Sequence, residues 1–151
     1  MGAAPSLTSK ALRTNTHGAI HTLMETSSDS AWHTLDCAPA AGTALCPLAE
    51  LPDGRAREFS FGDGRDRFRM IVLRSGEQVW GYVNRCPHFS LPLNVEPDRF
   101  VLFDHSHIYC AVHTAMFRFT DGHCEEGPCV GAALTPVPVE LDGAHVRIAP
   151  S

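Results

Sequence analysis

An all-β fold of short antiparallel strands is predicted by three features of this chain. From residue 45 onward, runs of strand length rich in Val, Ile, Phe and Tyr recur, as strands with at least one buried face require. Turn signals punctuate them at Ser75-Gly76, Asp121-Gly122 and Asp142-Gly143. No helical period of useful length competes. A hydrophobic content of 44% with 19% charged residues suits a globular core, and 151 residues suit one domain.

Taken in order, residues 1–41 are expected to be a poorly ordered leader. They are rich in Ser, Thr, Ala and Gly without sustained period, and Ala38-Pro39-Ala40-Ala41-Gly42 reads as a linker. Met24 offers an alternative start within this stretch. The folded domain is then 42–151. Strands are expected at 56–61, 68–74 and 78–84, the last running straight into Cys86, and after an irregular stretch at 115–119, 135–141 and 145–148. The arrangement is two small antiparallel layers carrying functional loops at one tip.

Those loops hold the chemistry. Cys86-Pro87-His88 and Cys110-Ala111-Val112-His113 supply two thiolates and two imidazoles. Such a set holds a [2Fe-2S] cluster when two histidines replace two cysteines on one iron. The same four residue types also satisfy tetrahedral zinc, which would make the domain an interaction module with no redox role. Zinc knuckles usually pair Cys with Cys before His with His, whereas each short motif here mixes the two.

The flanking residues resemble the Rieske family. Cys86-Pro87-His88-Phe89-Ser90-Leu91-Pro92-Leu93 is similar to the first cluster loop of Rieske ferredoxins, and Cys110-Ala111-Val112-His113-Thr114-Ala115-Met116-Phe117 to the second. Phe119-Thr120-Asp121-Gly122, Glu126-Gly127-Pro128 and Leu134-Thr135-Pro136-Val137-Pro138-Val139 follow in the family's order of strand, turn, proline loop and closing strand. Three departures stand out. The 89–109 spacer is longer than usual in ferredoxin members, and Ser90 and Thr114 stand where glycine is common. The loops also lack the extra cysteine pair of the respiratory members, which brings the chain nearer the dioxygenase-type ferredoxins.

The resemblance implies a Rieske-type antiparallel β-sandwich with a cluster-binding subdomain at about 84–130. It implies one [2Fe-2S] cluster, with Cys86 and Cys110 on the buried iron and His88 and His113 on the outer one. The implied role is a one-electron carrier from a flavin-dependent ferredoxin reductase to a terminal, ring-hydroxylating type oxygenase. No catalytic residue is expected, because oxygenases of such systems carry a further mononuclear iron domain for which the residues after His113 leave no room. An alternative keeps the cluster in a small subunit or redox sensor of another oxidoreductase.

High-potential members carry a serine after the second motif and a tyrosine nearby. Here Ala115 stands at the serine position, and Phe117 and Phe119 donate nothing to the sulfurs. The expected potential is therefore low for the class, roughly -150 mV. The histidine ligands also make electron uptake proton-linked at alkaline pH.

The remaining candidates receive plainer readings. Cys124 and Cys129 flank Gly127-Pro128 and read as small buried apolar groups, with a disulfide or redox switch as the functional alternative. Cys37 and Cys46 have no metal-like spacing, and His105 and His107 suit one solvated strand face. Around the cluster, Leu93 and Val112 are expected in the core, and Phe89, Leu91 and Met116 in a small docking patch. The net charge of -5 argues against nucleic acid and anionic membranes and favours docking on a basic partner surface. Residues 1–6 begin no apolar signal segment and no stretch reaches membrane-spanning length, so a cytoplasmic protein with reduced thiols is expected.

Overall fold

The structure is a computed structural model and describes residues 32–150. Ten strands form three antiparallel sheets, with three single-turn 3-10 helices and no α-helix among the described residues. The strands are β1 (Ala44–Pro47), β2 (Ala56–Phe61), β3 (Phe68–Ser75), β4 (Gln78–Val83), β5 (Val101–Phe103), β6 (His107–Tyr109), β7 (Met116–Arg118), β8 (Cys124–Glu126), β9 (Val139–Asp142) and β10 (His145–Ile148). The sheets run β1-β10-β9, β2-β3-β4 and β5-β6-β7-β8. Among the described residues no helix is long and apolar enough to cross a membrane.

Strand β3 explains why the three sheets form one body. Its sequence Phe-Arg-Met-Ile-Val-Leu-Arg-Ser is apolar on both faces at its centre. Because side chains alternate, Met70 and Val72 enter a basal core with Trp32, Phe68, Val137, Val146 and Ile148. Ile71 and Leu73 enter a second core at the tip, with Tyr82, Leu93, Ile108, Phe117, Phe119 and four cysteines. A strand buried on both faces reads as a continuous apolar run rather than an alternation.

Gly81 fixes where the two three-stranded sheets meet. A Cβ there would lie 2.5 Å from the Val137 carbonyl oxygen, and the Val137 N–H donates to Gly81 O at 2.8 Å. Only glycine permits so close a backbone approach.

The six expected strands all form, and β1, β5, β6 and β8 appear besides them. Residues 135–141 form a regular strand only from Val139; before it the chain makes an isolated bridge to Tyr82 at Pro136, because Pro136 and Pro138 lack the donors a longer ladder needs. The long 89–109 spacer is partly regular: β5 and β6 form a hairpin closed by Asp104 and His105, both at positive φ. His105 therefore lies in the turn, and His107 alone lies on the strand, bonding Glu125 at 3.0 Å. At the N-terminal side, Trp32 is 1% exposed and Leu35 and Ala38 pack on the basal core. The packed region thus starts before the expected boundary at 42, because Trp32 offers a large apolar surface to bury. Residues 1–31 of the expected leader lie outside the described residues.

Candidate metal centre

The two motif loops are built alike. In the first, the Cys86 carbonyl accepts from Ser90 N–H at 2.8 Å and the Cys86 N–H donates to Leu91 O at 2.7 Å. In the second, the Cys110 carbonyl accepts from Thr114 N–H at 2.8 Å and the Cys110 N–H donates to Ala115 O at 2.8 Å. Each ring closes through a residue in the left-handed region, Ser90 at φ 58° and Thr114 at φ 59°. Glycine would fit here without strain, so Ser90 and Thr114 each hold this conformation at a cost. A bond from Ala111 N–H to Leu93 O at 2.8 Å ties one loop to the other.

This construction brings all four predicted residues together as two pairs. Cys86 and Cys110 are buried, 1% and 0% exposed, in the tip core. The His88 and His113 rings are half-buried, with centroids 4.8 Å apart at 85°, and Phe89 packs against both. Among the described residues no three such donors converge on one point. The arrangement is sulfur beside sulfur and imidazole beside imidazole, which suits two linked metal ions better than a single tetrahedral one.

Two further observations fit an iron-sulfur group. His88 Nδ1 is buried without a hydrogen-bond partner, which is costly unless it ligates something. Burial pushes the Cys86 thiol up in pKa; the His88 N–H opposes this and the adjacent Cys110 thiol adds to it. A bound cation would supply the charge that two buried thiolates lack.

The supports of the loops were not read from the sequence. Asn84 and Asn94, both 5% exposed, bracket the first loop. Asn84 Oδ1 accepts from Leu93 N–H at 2.8 Å, and Asn84 Nδ2 donates to Asn94 Oδ1 at 2.7 Å and to Glu58 Oε2 at 2.9 Å. Asn94 Nδ2 donates to Glu58 Oε1 at 3.1 Å and to Glu96 O at 2.9 Å, and Arg69 closes an ion pair on Glu58. Burial pushes the Glu58 carboxyl up, but the bonds from Arg69, Asn94 and Asn84 outweigh it and hold it below the usual range. The available signal was polar Asn on either side of an apolar ligand loop.

Other groups also differ from expectation. Val112 is 46% exposed rather than in the core, because it sits mid-turn between Cys110 and His113. Phe89 and Leu91 are exposed, Met116 is half-buried and Leu93 is fully buried. The Tyr82 hydroxyl donates to Phe119 O at 2.6 Å and is thereby engaged away from the sulfurs. Cys37 is exposed and Cys46 is buried on β1.

Comparisons with known proteins agree with this geometry. No curated protein matches the chain in sequence. Among solved structures, the ferredoxin of carbazole 1,9a-dioxygenase from Nocardioides aromaticivorans IC177 superposes with TM-score 0.60 at 26% identity, covering 74% of this chain and 100% of that one. The ferredoxin of Sphingomonas yanoikuyae B1 does so with TM-score 0.55 at 21% identity, covering 73% and 99%. A complex of reduced oxygenase and oxidised ferredoxin in carbazole 1,9a-dioxygenase gives TM-score 0.57 at 22% identity, covering 70% and 99%. The family model for the Rieske [2Fe-2S] domain matches residues 42–141, a span holding both ligand loops and the closing strand β9. With two thirds of its length in that match, this chain belongs to the Rieske [2Fe-2S] domain family, whose domain binds one [2Fe-2S] cluster.

Proposed function

We propose that the protein is a one-electron carrier serving a terminal oxygenase of the ring-hydroxylating type, itself reduced by a flavin-dependent ferredoxin reductase. In this reading Cys86 and Cys110 hold the inner iron and His88 and His113 the outer one, within a cluster-binding part at about 84–130. When bound, such a cluster takes up and gives up a single electron. The observation that carries the reading is the half-buried His88–His113 pair, 4.8 Å apart, at the rim of the tip core.

The chain's own residues divide the remaining work. Tyr82, Leu93, Phe117 and Phe119 enclose the thiols and keep water from the sulfurs. Phe89, Leu91 and Val112 form an exposed apolar rim around the histidines, the natural place for a partner to dock. The similar ferredoxin in complex with an oxygenase supports that partner class. The net charge of -5 suits a basic docking surface and a fast, salt-sensitive encounter. Free thiols at all six cysteines suit the cytoplasm, where the protein is placed by this reading.

The test records visible and low-temperature EPR spectra before and after dithionite, with iron, sulfide and zinc assayed on the same sample. Two irons and two sulfides, with a reduced signal of average g near 1.9, are expected of a Rieske centre; a colourless protein with stoichiometric zinc would overturn the reading. Reduction by a flavin reductase, followed by oxygenase turnover, tests the partners.

A further inference from the structure

The tip core holds four of the six cysteines, and the ligand set uses two. Of the others, Cys124 opens β8 and Cys129 lies in the turn that follows it, past Gly127-Pro128. Cys129 Sγ is 3.2 Å from Cys124 Sγ, which in turn is 3.2 Å from Glu126 O. The backbone has already closed this loop. Cys124 N–H donates to Ala132 O and Ala132 N–H to Cys129 O, both at 2.9 Å, and His123 bridges Ala133. An approach of about 1 Å would bring the sulfurs to bonding distance. Cys46, by contrast, is buried on β1 in the basal core, away from these four sulfurs.

The pair also touches the centre. Cys129 and Cys86 pack in the same core. Gly127, inside the dithiol loop, lies against the second ligand loop, where an added Cβ would meet Ala115 Cα at 2.7 Å. Cys129 is the outer thiol, 9% exposed and followed by the exposed Val130, whereas Cys124 is fully buried.

We propose that Cys124 and Cys129 form a redox-active dithiol that closes to a disulfide and thereby alters the electron affinity of the adjacent centre. The oxidant is a small disulfide of the glutathione class. Cys129 gives up its proton and attacks one sulfur of the oxidant, whose S–S bond breaks and releases one thiol. Cys124 then gives up its proton and attacks the Cys129 sulfur, releasing the second thiol. The protein loses two electrons and two protons and the oxidant gains both. Closure consumes both S–H groups in the core that also holds Cys86, and fewer donors around the cluster sulfurs lower the potential. This last effect rests on the cluster reading, while the dithiol chemistry does not.

The experiment equilibrates the iron-loaded protein with graded mixtures of reduced and oxidised glutathione, without oxygen. Visible absorbance is followed, and the sample is then quenched in acid, alkylated under denaturing conditions and weighed intact. All six cysteines should be alkylated at the reduced end and four at the oxidised end, with the missing pair mapped to Cys124 and Cys129. Cys124→Ser and Cys129→Ser are accepted as folded if their absorbance matches the parent; Cys129→Ser should stay at five alkylated cysteines throughout, whereas Cys124→Ser should fall to four at the oxidised end with one glutathione held on Cys129. Six alkylated cysteines at the oxidised end, or a bridge involving Cys86 or Cys110, would overturn the dithiol. Spectroelectrochemistry of the two forms should show electron affinity about tenfold lower after closure, about 59 mV for one electron. An unmoved potential with an intact cluster would overturn the coupling. A preparation without iron and sulfide would instead count against the cluster reading and leave the alkylation result standing.

Discussion

The two ligand loops close by the same pair of backbone bonds around the same left-handed residue, yet they rest on different foundations. The first stands on a buried polar knot of Glu58, Arg69, Asn84 and Asn94. The second stands on apolar packing: Ala115 and Phe117 fully buried beneath it, and Gly127 pressed against Ala115 from the proline loop. Local geometry can therefore be repeated while the forces that hold it are not. Polar support fixes direction through hydrogen bonds, and packing fixes distance through contact.

The largest effects should come from what the loops share. Cys86→Ala and Cys110→Ala are each expected to abolish the red-brown chromophore, read as iron and sulfide per chain. A variant that kept both would break the symmetry of ligand supply. Next comes what only the first loop has: Glu58→Ala removes one side of a buried ion pair and should cost about 3 kcal/mol, measured by urea unfolding of the loaded protein. No change in unfolding midpoint would remove the knot from the account.

The same carboxylate sets a pH dependence. Its folded pKa is depressed, so its stabilisation is fully present above the unfolded value of about 4.3 and is lost as pH falls through the folded one. The stability gap between the parent and Glu58→Gln should narrow through that window, and a gap that widened there would reverse the sign. On the second loop, Gly127→Ala combines a φ of 101° with a 2.7 Å clash on Ala115 and should cost about 2 kcal/mol. Its measurement is the thermal midpoint together with retention of the cluster. The smallest effect is a gain: Thr114→Gly relieves a β-branched residue at φ 59° and should add about 1 kcal/mol, and Ser90→Gly less.

The four candidate donors could be picked out in the sequence because they lie in two short motifs, and the strands because β3 and its neighbours carry unbroken apolar runs. Even Ser90 and Thr114 were visible as oddities, and both hold a positive φ. What stayed hidden depends on long-range pairing. Glu58 and Asn94 are 36 residues apart and meet only once β2 and the first loop share a side of the fold. Val112 was misplaced because apolar character suggests burial, whereas its position at mid-turn turns the side chain outward. The Cys124–Cys129 contact needed the backbone bonds around Ala132 to be known. The burial of Trp32 was hidden for a similar reason, since a lone aromatic gives no period to read.

The single bond from Ala111 N–H to Leu93 O has a mechanical meaning. It ties the two motif loops to one another rather than leaving them as independent fingers, so the proposed donors are expected to keep their separation whichever charge they surround. A site whose donors hold still when an electron arrives asks little of its surroundings at each exchange. For a protein whose proposed work is to be reduced by one partner and oxidised by another, that stillness is a form of speed.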